Sequence, residues 1–209
     1  ISVIYNPVDI DSIDQQVDVH SSHTWFDEKN NIDVIVGMGR LTTQKDFSTL
    51  LRAFATVRER RPNTRLAIFG EGEQEQKLVE LSEALGISDH IQFFGYVNNP
   101  FRYLARADLF VLSSAWEGFG NVLTEALACG LPIVSTDCPS GPREILQDGE
   151  YGIIVPVGDA DEMAIAIIQS LDTDIMIKKL RERAQDFSVE TIVDEYEAVL
   201  TSNSKTRVQ

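Results

Sequence analysis

The sequence predicts an α/β fold in which a parallel sheet of about six strands is covered by helices on both faces and followed by further helices. Three observations carry that prediction. Short apolar runs such as Val34-Ile35-Val36, Leu66-Ala67-Ile68-Phe69 and Leu109-Phe110-Val111-Leu112 are too brief for helices and too continuously apolar for strands wetted on one face, so they read as fully buried strands. Segments with apolar residues at spacings of three and four separate these runs, and that alternation implies parallel strands joined by crossover helices. Beyond Val155 only the helical pattern continues.

The elements follow in order. Val3-Ile4-Tyr5 reads as a short strand ending in the turn Asn6-Pro7-Val8-Asp9, and residues 11–31, polar and without a sustained period, read as a mobile surface loop. Val34-Ile35-Val36-Gly37 is a strand ending at Met38-Gly39-Arg40-Leu41. In residues 46–60, Phe47, Leu50, Leu51, Phe54 and Val57 share one face of an amphipathic helix. Leu66-Ala67-Ile68-Phe69 is a strand running into Gly70-Glu71-Gly72, and a helix over residues 74–85 is stopped by Gly86. Residues 91–94 form a strand, 100–107 a short helix and 109–113 the next strand. Val122, Leu123, Ala126, Leu127 and Ala128 fall at helical spacing, with Asn121 as N-cap and Gly130 just past the end. Residues 132–136 are a buried strand, 142–146 a helical turn and 152–155 a last strand. Residues 160–200 read as helix in about three pieces, broken near Asp172 and near Phe187-Ser188, and 202–209 as a frayed polar tail.

At 209 residues, 43% hydrophobic and 24% charged, the chain suits one soluble domain over residues 1–201. Its net charge of −15 argues against broad attraction to nucleic acid or anionic lipid, so an anionic ligand must be met locally by a few Lys or Arg and by backbone dipoles. Cys129 and Cys138 lack the spacing of a zinc site or a disulfide framework, which fits a reducing, cytoplasmic location. No apolar run approaches the ~20 residues of a membrane span, so any membrane association belongs to the full-length protein. Because Ile1 is not an initiator methionine and a strand pattern begins at once, the chain is expected to be part of a longer polypeptide.

In open parallel sheets, ligands bind beyond the carboxyl ends of the strands. That rule gathers Gly39-Arg40, Gly70-Glu71-Gly72, Gly95-Tyr96-Val97, residues 117–121 and residues 136–141 on one edge. The centre is residues 113–130, SSAWEGFGNVLTEALACG, which pass from strand to glycine-broken loop to helix and hold Glu117 and Glu125 with seven residues between them. Gly118 and Gly120 ahead of a helix leave N–H groups uncovered from about Gly120 to Leu123, beside the positive end of the dipole, and that is a ready anion site. Two carboxylates would repel phosphate but accept hydrogen bonds from hydroxyls, so the stretch suggests a nucleotide sugar. Arg40 and Lys45, five residues apart just beyond a strand, would supply fixed charge for a pyrophosphate, with a solvated pair near a helix start as the plain alternative.

Other motifs are weaker. Gly70-Glu71-Gly72 does not complete a dinucleotide fingerprint, since Glu75 stands at the third glycine position, and a plain strand-to-helix turn is expected there. Trp116 and Phe119 are either core or pocket wall, core being expected for at least one. His20, His23 and His90 are scattered, and no Ser-His-Asp set, Walker loop or metal-ligand cluster can be assembled. The pieces therefore bind a donor without an evident general base.

Val36-Gly37-Met38-Gly39-Arg40-Leu41 with Lys45, then Phe93-Phe94-Gly95-Tyr96-Val97, then Glu117-Gly118-Phe119-Gly120-Asn121-Val122-Leu123-Thr124-Glu125-Ala126, closely resemble the donor-binding, C-terminal half of retaining GT-B glycosyltransferases of the group 1, or family 4, type. The resemblance covers nearly the whole chain from Asn6-Pro7-Val8-Asp9 onward. It implies a Rossmann-like domain that is one half of a GT-B fold and binds a nucleotide-diphosphate sugar. Arg40 and Lys45 would bind the diphosphate and steady the leaving group, beside Gly39. Glu117 would face the transferred sugar, the backbone around Gly118, Phe119, Gly120, Asn121, Val122 and Leu123 would hold the diphosphate, and Glu125 would accept hydrogen bonds from the ribose. Tyr96 and Val97 would lie along the base. Cys138-Pro139-Ser140-Gly141-Pro142-Arg143-Glu144 resembles the following loop of transferases that use UDP-linked hexoses or N-acetylhexosamines.

The same resemblance implies no cofactor and no metal requirement, and a glycan or lipid-linked acceptor in bacterial polysaccharide or lipopolysaccharide synthesis. It also implies an N-terminal acceptor domain that this chain does not contain, without which turnover is not expected. Two alternatives stand beside it: half of a nucleotide-sugar epimerase with the same plan, and a non-catalytic domain of the same fold, against which the joint presence of Arg40, Lys45, Glu117 and Glu125 weighs. A dehydrogenase is disfavoured by the incomplete glycine fingerprint.

Overall fold

The computed structural model of the chain describes residues 3–19, 23–27, 32–173 and 176–205. Six strands, β1 (Asp33–Met38), β2 (Thr64–Phe69), β3 (Ile91–Phe93), β4 (Leu109–Leu112), β5 (Ile133–Thr136) and β6 (Ile153–Val155), form one sheet in the order β3-β2-β1-β4-β5-β6, and every neighbouring pair is parallel. The chain winds outward from β1 in one direction and then from β4 in the other, so the crossovers diverge between β1 and β4 and open a crevice at their carboxyl ends. Register there sets Ile35 opposite Leu109 and Val36 opposite Phe110.

Strand side chains alternate between two cores, as a pleat requires. Ile35, Leu66, Ile68, Leu109, Val111 and Val134 face one cluster with α3 (Phe47–Arg60), α4 (Glu75–Ala84) and α8 (Ala160–Asp172). Val34, Val36, Phe69, Phe110, Leu112 and Ile133 face the other, with α1 (Ile10–Val17), α6 (Asn121–Ala128) and α9 (Ile177–Gln185). Shorter helices α2 (Thr24–Asp27), α5 (Phe101–Leu104) and α7 (Pro142–Ile145) fill the connections, and α10 (Val189–Lys205) follows α9. Both faces are thus covered, and the three C-terminal helices break where expected. Among the described residues no helix is long and apolar enough to cross a membrane.

Four expectations are corrected. Within the predicted loop 11–31 lie α1 and α2; residues 20–22 and 28–31 fall outside the described residues. Ile10 and Ile13 are buried one turn apart, and Asp9 caps α1 by accepting the Ser12 N–H at 2.9 Å. Val3-Ile4-Tyr5 joins no sheet, because the sheet edges are β3 and β6 and this segment instead runs beside the turn between α9 and α10, where Val8 bridges Ser188. The helix at the centre of the site is capped by Gly120, left-handed at φ 92°, rather than by Asn121, which is its first residue. Finally, α10 continues through residues 202–205 of the predicted tail, leaving 206–209 outside the described residues.

Candidate functional site

The loops after β1, β2 and β3 are tied together by backbone hydrogen bonds. Gly39 donates its N–H to Phe69 O at 2.9 Å, Leu41 to Glu71 O at 2.9 Å, and Gly70 to Gly95 O at 2.8 Å. The approach is close enough to demand glycine: a Cβ on Gly70, at φ 130°, would stand 2.0 Å from Gly39 O. Between these loops and α6 opens a cavity of about 560 Å³, lined by Gly39, Arg40, Tyr96, Val97, Val122 and Glu125 from the predicted set, by Glu71 from the turn expected on the same edge, and by Met38, Phe69 and Phe101, which were not expected as site residues. Glu71 was expected to be a plain turn residue. Its carboxylate instead accepts the Tyr96 N–H at 3.2 Å, so that N–H is already engaged.

The loops after β1 and β4 are joined more tightly, as neighbours in the sheet can be. Ala115 donates its N–H to Gln44 O at 2.8 Å, Gln44 Nε2 donates to Trp116 O at 2.9 Å, and Ser113 Oγ donates to Lys45 O at 2.7 Å. Across this join Lys45 Nζ lies 2.6 Å from Glu117 Oε1, with side chains 14% and 7% exposed. Ser114, fully buried, donates its hydroxyl to the same oxygen at 2.6 Å, and Thr136 Oγ1 in turn donates to Ser114 O at 2.6 Å. Lys45 is therefore paired with Glu117, while Arg40 is exposed at the rim of the larger cavity.

Lys45, Glu117, Phe119, Gly120, Asn121 and Val122 line a second cavity of about 280 Å³, and Val122 belongs to the walls of both. The two spaces thus meet at the start of α6, where the N–H groups of the first turn have no intrahelical partner. The free donors are fewer than predicted. Leu123 donates its N–H to Gly120 O at 2.8 Å and its side chain is buried in the core, whereas Gly120, Asn121 and Val122 line the smaller cavity at the helix start. Gly118 lines neither cavity. Trp116 is exposed, whereas Phe119 packs between Tyr5 and Phe187.

Behind the glycine-broken loop stands Gly141, at φ 96°, where an added Cβ would lie 1.7 Å from Phe119 O. No side chain fits there without moving the loop. Gly141→Ala is expected to weaken binding of a nucleoside diphosphate more than tenfold and to cost roughly 2 kcal/mol of stability; calorimetric titration and urea denaturation measure both, and a variant that binds normally would show that the loop tolerates displacement. Arg143, in the loop that follows β5, is held by both oxygens of Asp137 at 2.7 Å, which keeps the Asp137 carboxyl below its ordinary range.

Glu125, one helical turn into α6, lines the 560 Å³ cavity and a smaller one formed with Asp9, Ser12 and Phe101. Its carboxyl makes no hydrogen bond or ion pair with the described residues. Burial alone raises its pKa from 4.5 to about 7. A partly buried carboxyl with no partner among the described residues, next to open space, is suited to accept hydroxyl groups from a ligand. Among the described residues no group of three or more His, Cys, Asp or Glu is arranged to hold a metal ion.

A doubly wound parallel sheet carries here a paired Lys and Glu at a helix start and a second carboxylate beside an apolar cavity, chemistry suited to a ligand with both anionic and hydroxyl groups. The chain belongs to the family Glycosyl transferases group 1, whose sequence model matches residues 22–187. It is 36% identical to an uncharacterized glycosyltransferase of Methanocaldococcus jannaschii, over 80% of this chain and 49% of that protein. It is 37% identical to the lipopolysaccharide core biosynthesis glycosyltransferase LpsE of Rhizobium meliloti, over 85% of this chain and 52% of LpsE. The crystal structure of Anabaena Alr3699/HepE in complex with UDP and glucose superimposes with a TM-score of 0.79 at 25% identity, covering 96% of this chain and 56% of that one. The fold is that of one half of a GT-B glycosyltransferase. The chain spans about half the length of the curated relatives it matches.

Proposed function

We propose that this chain is the donor-binding half of a retaining glycosyltransferase that takes a hexose or N-acetylhexosamine from UDP. The acceptor is a glycan or lipid-linked glycan held by another domain, in polysaccharide or lipopolysaccharide synthesis. The observation that carries the reading is the meeting of two cavities at the start of α6: one holds the Lys45–Glu117 pair, the other the exposed Arg40 and Glu125, which has no partner among the described residues. A nucleoside diphosphate sugar suits both spaces, with base and ribose in the larger, sugar in the smaller, and diphosphate across Val122. Lys45, Arg40 and the N–H groups of Asn121 and Val122 then stabilise the leaving diphosphate, without a metal ion. Glu117, steadied by Ser114, directs its other oxygen to the sugar hydroxyls. The UDP in the HepE structure and the lipopolysaccharide role of LpsE support this reading.

Calorimetric titration with UDP, GDP and ADP tests it. Binding of one of them at micromolar to millimolar concentration is expected, and no binding by any would sink the proposal. Glu125→Ala is expected to weaken the nucleoside diphosphate and the nucleotide sugar alike, about tenfold or more. Glu117→Ala is expected to erase mainly the extra affinity contributed by the sugar. Equal losses for both ligands in both variants would overturn the division of roles.

A further inference from the structure

Residues 3–8, joined to no strand of the sheet, are nonetheless fixed to the site from two sides. The Tyr5 ring stacks on Phe119 with centroids 5.2 Å apart and meets Phe187 edge-on at 5.8 Å. Val8 donates its N–H to Phe187 O at 2.8 Å. Pro7, with its ring-fixed φ, removes most of the freedom that remains between these anchors. Asn6 is the residue they hold in place. Its Nδ2 lies 3.0 Å from Asn121 Oδ1, and it lines the 280 Å³ cavity together with Lys45, Glu117 and the first residues of α6.

The chemistry of that wall favours an anion. A carboxamide carries two N–H donors, and the bond between Asn6 and Asn121 uses one of the four that the pair supplies, whichever way the amides are turned. The rest remain available beside Lys45 and the helix start. In a chain of net charge −15, two neutral amides at this rim add donors without adding the negative charge that aspartate would bring.

We propose that Asn6 is a donor-contacting residue, its side-chain amide hydrogen-bonding an oxygen of the sugar-proximal phosphate at the start of α6. The inference rests on reading the cavity as a nucleoside diphosphate site. It makes the segment before the first helix part of the binding site, coupled through Tyr5 and Phe119 to the glycine-broken loop.

Titration of the unaltered protein, Asn6→Ala and Asn6→Asp with UDP and with UMP, alongside melting temperatures, tests the proposal. Asn6→Asp, nearly isosteric, is expected to weaken UDP more than about tenfold and UMP less than about threefold, because UMP lacks the second phosphate. Asn6→Ala is expected to weaken UDP by about threefold to tenfold with an unchanged melting temperature. UDP affinity within twofold of the unaltered protein in both variants would overturn the assignment, as would equal losses for UDP and UMP. Should Asn6→Asp fail to fold, Asn6→Ala and Asn6→Ser decide by the same comparison. Failure of the unaltered protein to bind UDP, GDP or ADP would instead defeat the functional reading, and this inference with it.

Discussion

Lys45→Ala is expected to lower stability by about 3 kcal/mol and to weaken nucleoside diphosphate binding about a hundredfold, since breaking a buried ion pair from one side strands the other charge. Glu117 is only 7% exposed and would retain a single partner, the Ser114 hydroxyl, at the oxygen it now shares with Lys45. The stem of Lys45 also lies along Gly39, where an added Cβ would come within 3.0 Å of it, so the alanine opens space beneath the loop as well. Two separate losses are therefore combined. The double variant Lys45→Ala/Glu117→Gln separates them: removing the stranded charge should restore most of the stability while leaving binding weak. Urea denaturation of the four proteins of this cycle, with calorimetry beside it, measures both quantities. Additive stability losses in the double variant would show that the pair is not a coupled unit.

Binding of a nucleoside diphosphate sugar should strengthen about tenfold between pH 6 and pH 8, with release of a proton, if hydroxyl groups of the ligand hold Glu125 in its charged form. Burial, which disfavours its charge, pushes that carboxyl up to about 7. A nucleotide sugar is the right probe, since its two phosphates stay ionised throughout this range. Folding stability should move the opposite way. A carboxyl whose folded pKa is raised binds more protons folded than unfolded above pH 4.5, so its contribution falls as pH rises from there through about 7. The full loss, of order 3 kcal/mol at most, is reached near pH 8. Glu125→Gln should flatten both profiles. The neighbouring Cys129 does not compete in this window, its thiol being pushed up to about 12 by burial and by Glu125. A wild-type affinity that is flat across the range, or a Glu125→Gln profile as steep as wild type, would remove Glu125 from the ribose.

Strands and the principal helices were legible because burial on two faces imposes a pattern that a few residues suffice to show. Ile35 and Leu109 face one core, Val36 and Phe110 the other, and the sequence displays that alternation as unbroken apolar runs. The glutamate pair and the glycine-broken loop were legible for a related reason: a helix start freed of side chains has a local signature. α1 was not legible. Its apolar residues are outnumbered by polar ones, and its last turn is completed from far along the chain, by Asn99 Nδ2 donating to Gln16 O at 3.0 Å and Arg106 donating to Val17 O at 2.7 Å. The side-chain contacts of Glu71 and Asn6 were not legible either, since each is made with a partner far along the chain.

The sequence by itself determined the parallel sheet and the candidate residues that its loops bring to the carboxyl edge, because these follow from local periodicity and from what glycine, lysine and glutamate can do. Only the tertiary structure decided which of those residues face one another. Strand order sets β1 beside β4, and that adjacency pairs Lys45 with Glu117 while Glu125, one turn deeper along α6, is left partly buried without a partner among the described residues. Pairing energies between charges depend on distance and burial. Neither is a property of spacing along a chain.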